Sequence, residues 1–209
     1  MNVELLQFRF SPYNEKVRWA LDLKRVPHRR RSLLPGPHMP VVRRLTGQTQ
    51  TPVLRLDGAP VHGSACIIES LERSYPEPAL YPAASSERAE ALALQAYFDD
   101  QVGPRTRCNV LAAGEAAMQV ALDRVAQGAA ATGYLVGGRF SLADLAAAAI
   151  LAPSLALPGT PMARPEPMPE ALAAWTGSWA DHPGARWVAR IYASHRPPVA
   201  DRDGAFAYG

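Results

Sequence analysis

Short apolar runs alternate with apolar positions at helical spacing in the first part of this chain. Val3–Phe8 is apolar-rich and stops before Ser11-Pro12, which predicts a strand. From Tyr13 to Lys24, Val17, Ala20, Leu21 and Leu23 recur at the spacing of a helix. After Pro27, His28–Leu33 reads as an edge strand with its arginines in water, and a Pro/Gly-rich loop leads to a short helix over Val41–Leu45. Thr51–Leu56 and Ala59–Val61 flank Asp57-Gly58, a strong two-residue hairpin signal. Ser64–Arg73 then sets Ile67, Ile68 and Leu71 on one helical face.

The pattern breaks at Tyr75-Pro76-Glu77-Pro78 through Pro82 and resumes after Ser85-Ser86, which are suited to cap a helix. This sets domains at 1–78 and 86–209. From Glu87 onward the chain is Ala/Leu-rich without strand alternation, so the second domain is expected to be all helical. Gly103-Pro104 should kink or divide its first long helix. Phe140-Ser141-Leu142-Ala143-Asp144-Leu145 has capping-box spacing, with Phe140 and Leu145 as a hydrophobic staple. Six prolines between Ala152 and Pro169 predict a surface connection, and Ala171–Ala180 and Ala185–Ser194 two closing helices. Trp175, Trp179 and Trp187 read as packing residues of those helices.

Composition narrows the function classes. A chain of 209 residues with 48% hydrophobic content buries a sizeable core, and a net charge of +3 is too small to argue for nucleic acid. Residues 1–80 hold 12 basic and 7 acidic side chains, so the basic half favours a small anion. Arg29, Arg30, Arg31, Arg43 and Arg44 read first as solvated faces and second as an anion-steering cluster. Cys66 and Cys108 give no disulfide framework and suit a reducing compartment. Cys66 is expected in the core beside Ile67, and Cys108 as a packed helix residue. The histidines form no metal-ligand pattern, so no metal is expected, and no apolar run is long enough to span a bilayer. The N-terminus lacks a leader pattern, and a cytoplasmic protein is expected.

Three segments carry candidate chemistry. Ser11 lies where a strand turns into a helix, so its hydroxyl sits by the free N–H groups and positive dipole end of that helix. Taken alone it reads first as a helix cap. Gln50-Thr51-Pro52 precedes a strand, and His62-Gly63-Ser64 opens a helix where Ser64 suits either an N-cap or an anion contact.

The predicted β-α-β-α-β-β-α order resembles a thioredoxin-type domain. Ser11-Pro12-Tyr13-Asn14 resembles the strand-to-helix turn of glutathione transferases and glutaredoxins, with Ser11 and Asn14 in the two cysteine positions, so dithiol redox chemistry is absent there. Gln50-Thr51-Pro52 resembles the family's cis-proline loop, and Gly63-Ser64-Ala65-Cys66-Ile67 its acid-Ser-x-Ala-Ile motif. The chain is therefore identified as resembling serine-type, bacterial-like glutathione transferases, of α/β plus all-α class, with a thioredoxin-like N-terminal domain followed by a helical C-terminal domain. The resemblance implies conjugation of glutathione to an apolar electrophile at the domain cleft, with glutathione as co-substrate, no other cofactor, detoxification as the role, and a homodimer. It assigns sulfur activation to Ser11 and the cysteinyl amide contact to the Thr51 main chain. Pro52 fixes the loop, Gln50 lies near the glycyl carboxylate and Ser64 receives the γ-glutamyl group. The acid it implies before Ser64 is Gly63 here, so the ammonium loses a partner and weak affinity is expected. The alternative is a catalytically silent protein of the same fold that binds a ligand or another protein.

Overall fold

Alternation puts Leu5 and Leu6 on opposite faces of one strand, and both are buried, so that strand needs cover on both sides. In the computed structural model, which describes residues 3–106, 112–162 and 167–197, it lies inside a four-stranded sheet of order β2-β1-β3-β4. The first unit, ending at Pro78, runs β1 (Val3–Gln7), α1 (Pro12–Leu23), β2 (Arg29–Ser32), α2 (His38–Thr46), β3 (Val53–Leu56), β4 (Ala59–His62) and α3 (Ser64–Ser74). β1 pairs parallel with β2 and antiparallel with β3, while β3 and β4 form the hairpin. Its turn residues Asp57 and Gly58 both have positive φ, 48° and 92°, as that turn requires. This is the thioredoxin-like order expected from the sequence. Leu6 and Val53 pack with Val42 of α2, leaving Leu5 and Leu54 to the opposite face.

Two expectations for this unit are corrected. The arginines of β2 do not all face water: Arg30 holds both carboxylate oxygens of Asp22, at 2.6 and 2.7 Å, and donates to His28, while Arg29 is exposed. Strand alternation sends Arg30 to the side where α1 ends, and the pair is nearly dry. Cys66 is exposed rather than in the core. Ile67, Ile68 and Leu71 fill the buried face of α3, and Cys66 falls one residue outside that arc.

The second unit, Ala79–Arg196, is helical: α4 (Ser85–Tyr97), a π-helical turn (Phe98–Val102), α5 (Gly103–Thr106), α6 (Ala112–Gly128), α7 (Leu142–Leu155), α8 (Glu170–Ser178) and α9 (Pro183–His195). The break expected at Gly103-Pro104 is thus a π-turn just before Gly103, where the register slips without ending the helical path. α4 starts at Ser85 with Ala84 in the cap position and no side-chain cap, so the serines begin the helix rather than cap it. Cys108 lies outside the described residues. α7 extends beyond the expected stop at Ala152 and contains Pro153, a correction. The proline sits in the last turn, where it leaves Ala149 O without its helical donor but interrupts no turn beyond the helix end. Trp179 and Trp187 are buried, and Trp187 donates to Gly133 O at 2.9 Å. No described helix is long and apolar enough to cross a membrane.

α7 is enclosed by α4, α9, α5 and the π-turn, which explains its apolar character on every side. Its start is held by the expected capping box. Asp144, fully buried, accepts from Ser141 N at 2.9 Å, Ser141 Oγ at 3.1 Å and Leu135 N at 2.8 Å. Burial disfavours its charged form more than these donors favour it, and its pKa is raised to about 6. α6 and α9 meet closely at Gly184, whose N–H donates to the capping His182 Nδ1.

Two predictions follow from these contacts. A Cβ at Gly184 would lie 2.2 Å from Leu122 O, so Gly184→Ala must push α9 off α6 and should cost about 3 kcal/mol in urea denaturation. For Asp144 the folded pKa lies above the unfolded value, so its contribution to stability is full below about pH 4 and is lost as pH rises through about 6. Asp144→Asn should therefore destabilise most near pH 4, with the penalty shrinking by on the order of 3 kcal/mol by pH 7. A penalty that grows with pH contradicts the raised pKa.

Candidate functional site

The strand directions bring three chain reversals to one end of the sheet. β1 finishes beside the start of β3, through Leu6 opposite Val53, and Val53 also lies opposite His62 at the end of β4. From this end α1 starts at Pro12 and α3 at Ser64, with the loop before β3 beside them. Two helix N-termini and one loop therefore share a corner.

Ser11 is half-buried in the N-cap position of α1, with extended backbone, yet its side chain makes no capping hydrogen bond. The reading of Ser11 as a simple cap is thereby corrected. Its loop is held from inside by Arg18. The guanidinium donates to Glu15 Oε2 and Gln7 Oε1, both at 2.7 Å, and to the carbonyls of Phe8 and Arg9 at 3.4 and 2.9 Å. Glu15 and Arg18 are both buried, so this is a desolvated pair that fixes the path of residues 8–11.

The Thr51–Pro52 peptide is cis, and Glu77–Pro78 is a second cis bond. Thr51 is half-buried and Pro52 buried, whereas Gln50 is exposed. Asn14 Nδ2 donates to Thr51 Oγ1 at 3.2 Å, and Gly63 N donates to Pro52 O at 3.3 Å, which ties the loop to both helix starts. Ser64 is buried as the first residue of α3. Gly63, not Ser64, occupies the cap position, so the N-cap reading of Ser64 is corrected. The structure thus gathers Ser11, Thr51, Pro52 and Ser64 at one corner, with Gln50 at its exposed margin.

Sequence reasoning missed the residues that brace this corner. Gln48 Nε2 donates to Thr46 Oγ1 at 2.9 Å and Gln50 O at 3.1 Å, and its Oε1 accepts from Gln50 N. His38 Nδ1 accepts from Gly36 N at 3.1 Å, so its proton lies on Nε2, which donates to Thr49 O at 3.0 Å. Nothing in the spacing of a lone Gln or His signals such a role. The Glu15-x-x-Arg18 pair was visible, but at i,i+3 it looks the same as an exposed helix pair.

Residues 5–79 match the family Glutathione S-transferase, N-terminal domain. The first unit is thus similar to the N-terminal domain of glutathione S-transferases. A probable glutathione S-transferase of Nicotiana tabacum is 30% identical over 107 residues, covering 48% of this chain and 45% of that protein, so the match spans less than half the length of this curated relative. Among solved structures, a glutathione S-transferase from Rhodospirillum rubrum superposes with a TM-score of 0.72 at 25% identity, covering 94% of this chain and 96% of its own. Rice GST1 in complex with glutathione gives a TM-score of 0.71 at 23% identity, with 94% and 90% covered. The likeness to these structures extends over the helical unit as well as the sheet.

Replacing the glycine that precedes Ser64 has a measurable cost. Gly63 has φ 82° and ψ 128°, a conformation that side-chain-bearing residues rarely adopt, although a Cβ there meets nothing within 4 Å. Gly63→Ala and Gly63→Glu should both lose roughly 1–3 kcal/mol of stability in thermal or urea unfolding, because backbone strain and not crowding sets the penalty. Equal stability of the glutamate variant and the parent would contradict this.

Proposed function

We propose that this protein is a glutathione transferase in which Ser11 activates the thiol of glutathione for addition to an electrophilic, largely apolar small molecule. The observation that carries the reading is the Ser11 hydroxyl, set at the N-terminus of α1 but not spent on capping it. Such a hydroxyl donates to the glutathione sulfur, favours the thiolate and lowers its pKa, while the thiol proton passes to solvent. The thiolate then attacks the electrophilic carbon, forming the C–S bond as a leaving group departs or a conjugated acceptor takes the electron pair. In this reading the Thr51 main chain pairs with the cysteinyl amide, Ser64 at the start of α3 receives the γ-glutamyl carboxylate, and Gln50 lies by the glycyl end. Pro52 shapes the loop that presents Thr51. Glutathione is the co-substrate and no other cofactor is invoked. A homodimer acting in the cytoplasm in detoxification completes the proposal.

A second reading, a silent binding protein of this fold, draws on Gly63, which offers no acid to the γ-glutamyl ammonium. Retention on immobilised glutathione followed by a conjugation assay with a generic electrophile separates the two. Ser11→Ala should reduce turnover by roughly ten- to a thousandfold, with a smaller change in glutathione binding and a raised pKa for the bound thiol. Unchanged turnover with an unchanged pH profile removes Ser11 from the mechanism.

A further inference from the structure

Ser11 and Asn14 stand at the N-cap and N3 positions of α1, the spacing at which a helix often uses both side chains on its own backbone. Neither is used so. The Ser11 hydroxyl makes no capping bond, and the Ser11 N–H donates to Phe8 O at 3.3 Å. Asn14 instead reaches out of the helix to Thr51 Oγ1, 37 positions away in sequence. Its other end, Oδ1, is buried without a partner, and the residue as a whole is 0% exposed. A buried acceptor left in this state keeps its desolvation cost, and leucine, of nearly the same shape, carries none. Packing therefore supplies no reason for asparagine at this position.

We infer that Asn14 is a positioning residue for glutathione: its carboxamide holds Thr51 from behind and so fixes the main chain before cis Pro52 relative to the start of α1. The inference rests on the glutathione reading above and adds a residue to it. Thr51 is held by its side chain, which leaves its backbone for the incoming peptide. The peptide-binding backbone and the Ser11 hydroxyl then move as one piece. Ordering the loop in advance removes that entropic cost from binding, so the effect belongs in affinity and not in the chemical step.

The experiment is steady-state kinetics with glutathione varied against a generic electrophile, with calorimetry of glutathione alone, on the parent, Asn14→Leu, Thr51→Val and the double variant. Each single change should raise the KM and Kd for glutathione about three- to tenfold, the effect of one net hydrogen bond. Because Ser11 is untouched, kcat of Asn14→Leu should change by less than twofold and the pKa of its bound thiol should stay in place. The double variant should bind no more weakly than either single one, the mark of a shared interaction. Should Asn14→Leu fail to fold, Thr51→Val tests the same bond from the loop side. Additive losses in the double variant, or reduced thermal stability with an unchanged KM in both single variants, overturn the inference while leaving the proposed function intact. A parent protein that does not bind glutathione overturns the function and this inference together.

Discussion

The first unit is organised around the buried guanidinium of Arg18. A cation taken out of water is tolerable only when its donors are satisfied, and here they reach Glu15, Gln7 and two backbone carbonyls. Those partners come from the end of β1, from the loop after it and from α1 itself, so meeting the needs of one side chain determines how the strand turns into the helix. Ser11 inherits its place from that turn. The bond from Asn14 to Thr51 then carries the same constraint to the cis-proline loop, and the bond from Gly63 to Pro52 O carries it to α3.

The far end of α1 uses a second buried cation. Lys24 Nζ donates to the carbonyls of Tyr75 and Pro78, at 2.7 and 3.0 Å, and pairs with Glu72 at 2.6 Å. α1 is consequently a core helix with charged residues at both ends, which a simple inside-outside pattern does not describe. Its apolar positions fill the middle of the packing. Its buried ions anchor the chain where the strand enters and where the chain leaves for the second unit.

Features set by local chemistry were legible in the sequence. Asp57-Gly58 names its turn because few residue pairs accept positive φ twice, and Ser141 with Asp144 names a helix start because the box closes within four residues. The cis bond at Pro52 was legible only through resemblance, since proline alone permits either isomer. Features that depend on distant partners were hidden. Arg30 looked solvated because its carboxylate comes from α1, and Asn14 looked like a replaced cysteine because its partner stands 37 residues away. Cys66 was misplaced by a single residue of helical phase, an error that periodicity alone does not correct. Gln48 and His38 act on backbone atoms, which carry no sequence signal at all.

The enclosure of α7 also shapes how the second unit opens. A helix with one wet face can detach from its neighbours and remain a helix for a time, exchanging its amide protons locally. From Leu142 to Ala152 no residue of α7 faces water, and its start is tied to Leu80 through the Leu142 N–H and to Leu135 through Asp144. Solvent reaches these amides only after α4 or α9 has also moved away. The slowest-exchanging protons of the helical unit thus belong to α7, and their rate reports the cooperative opening of the unit as a whole.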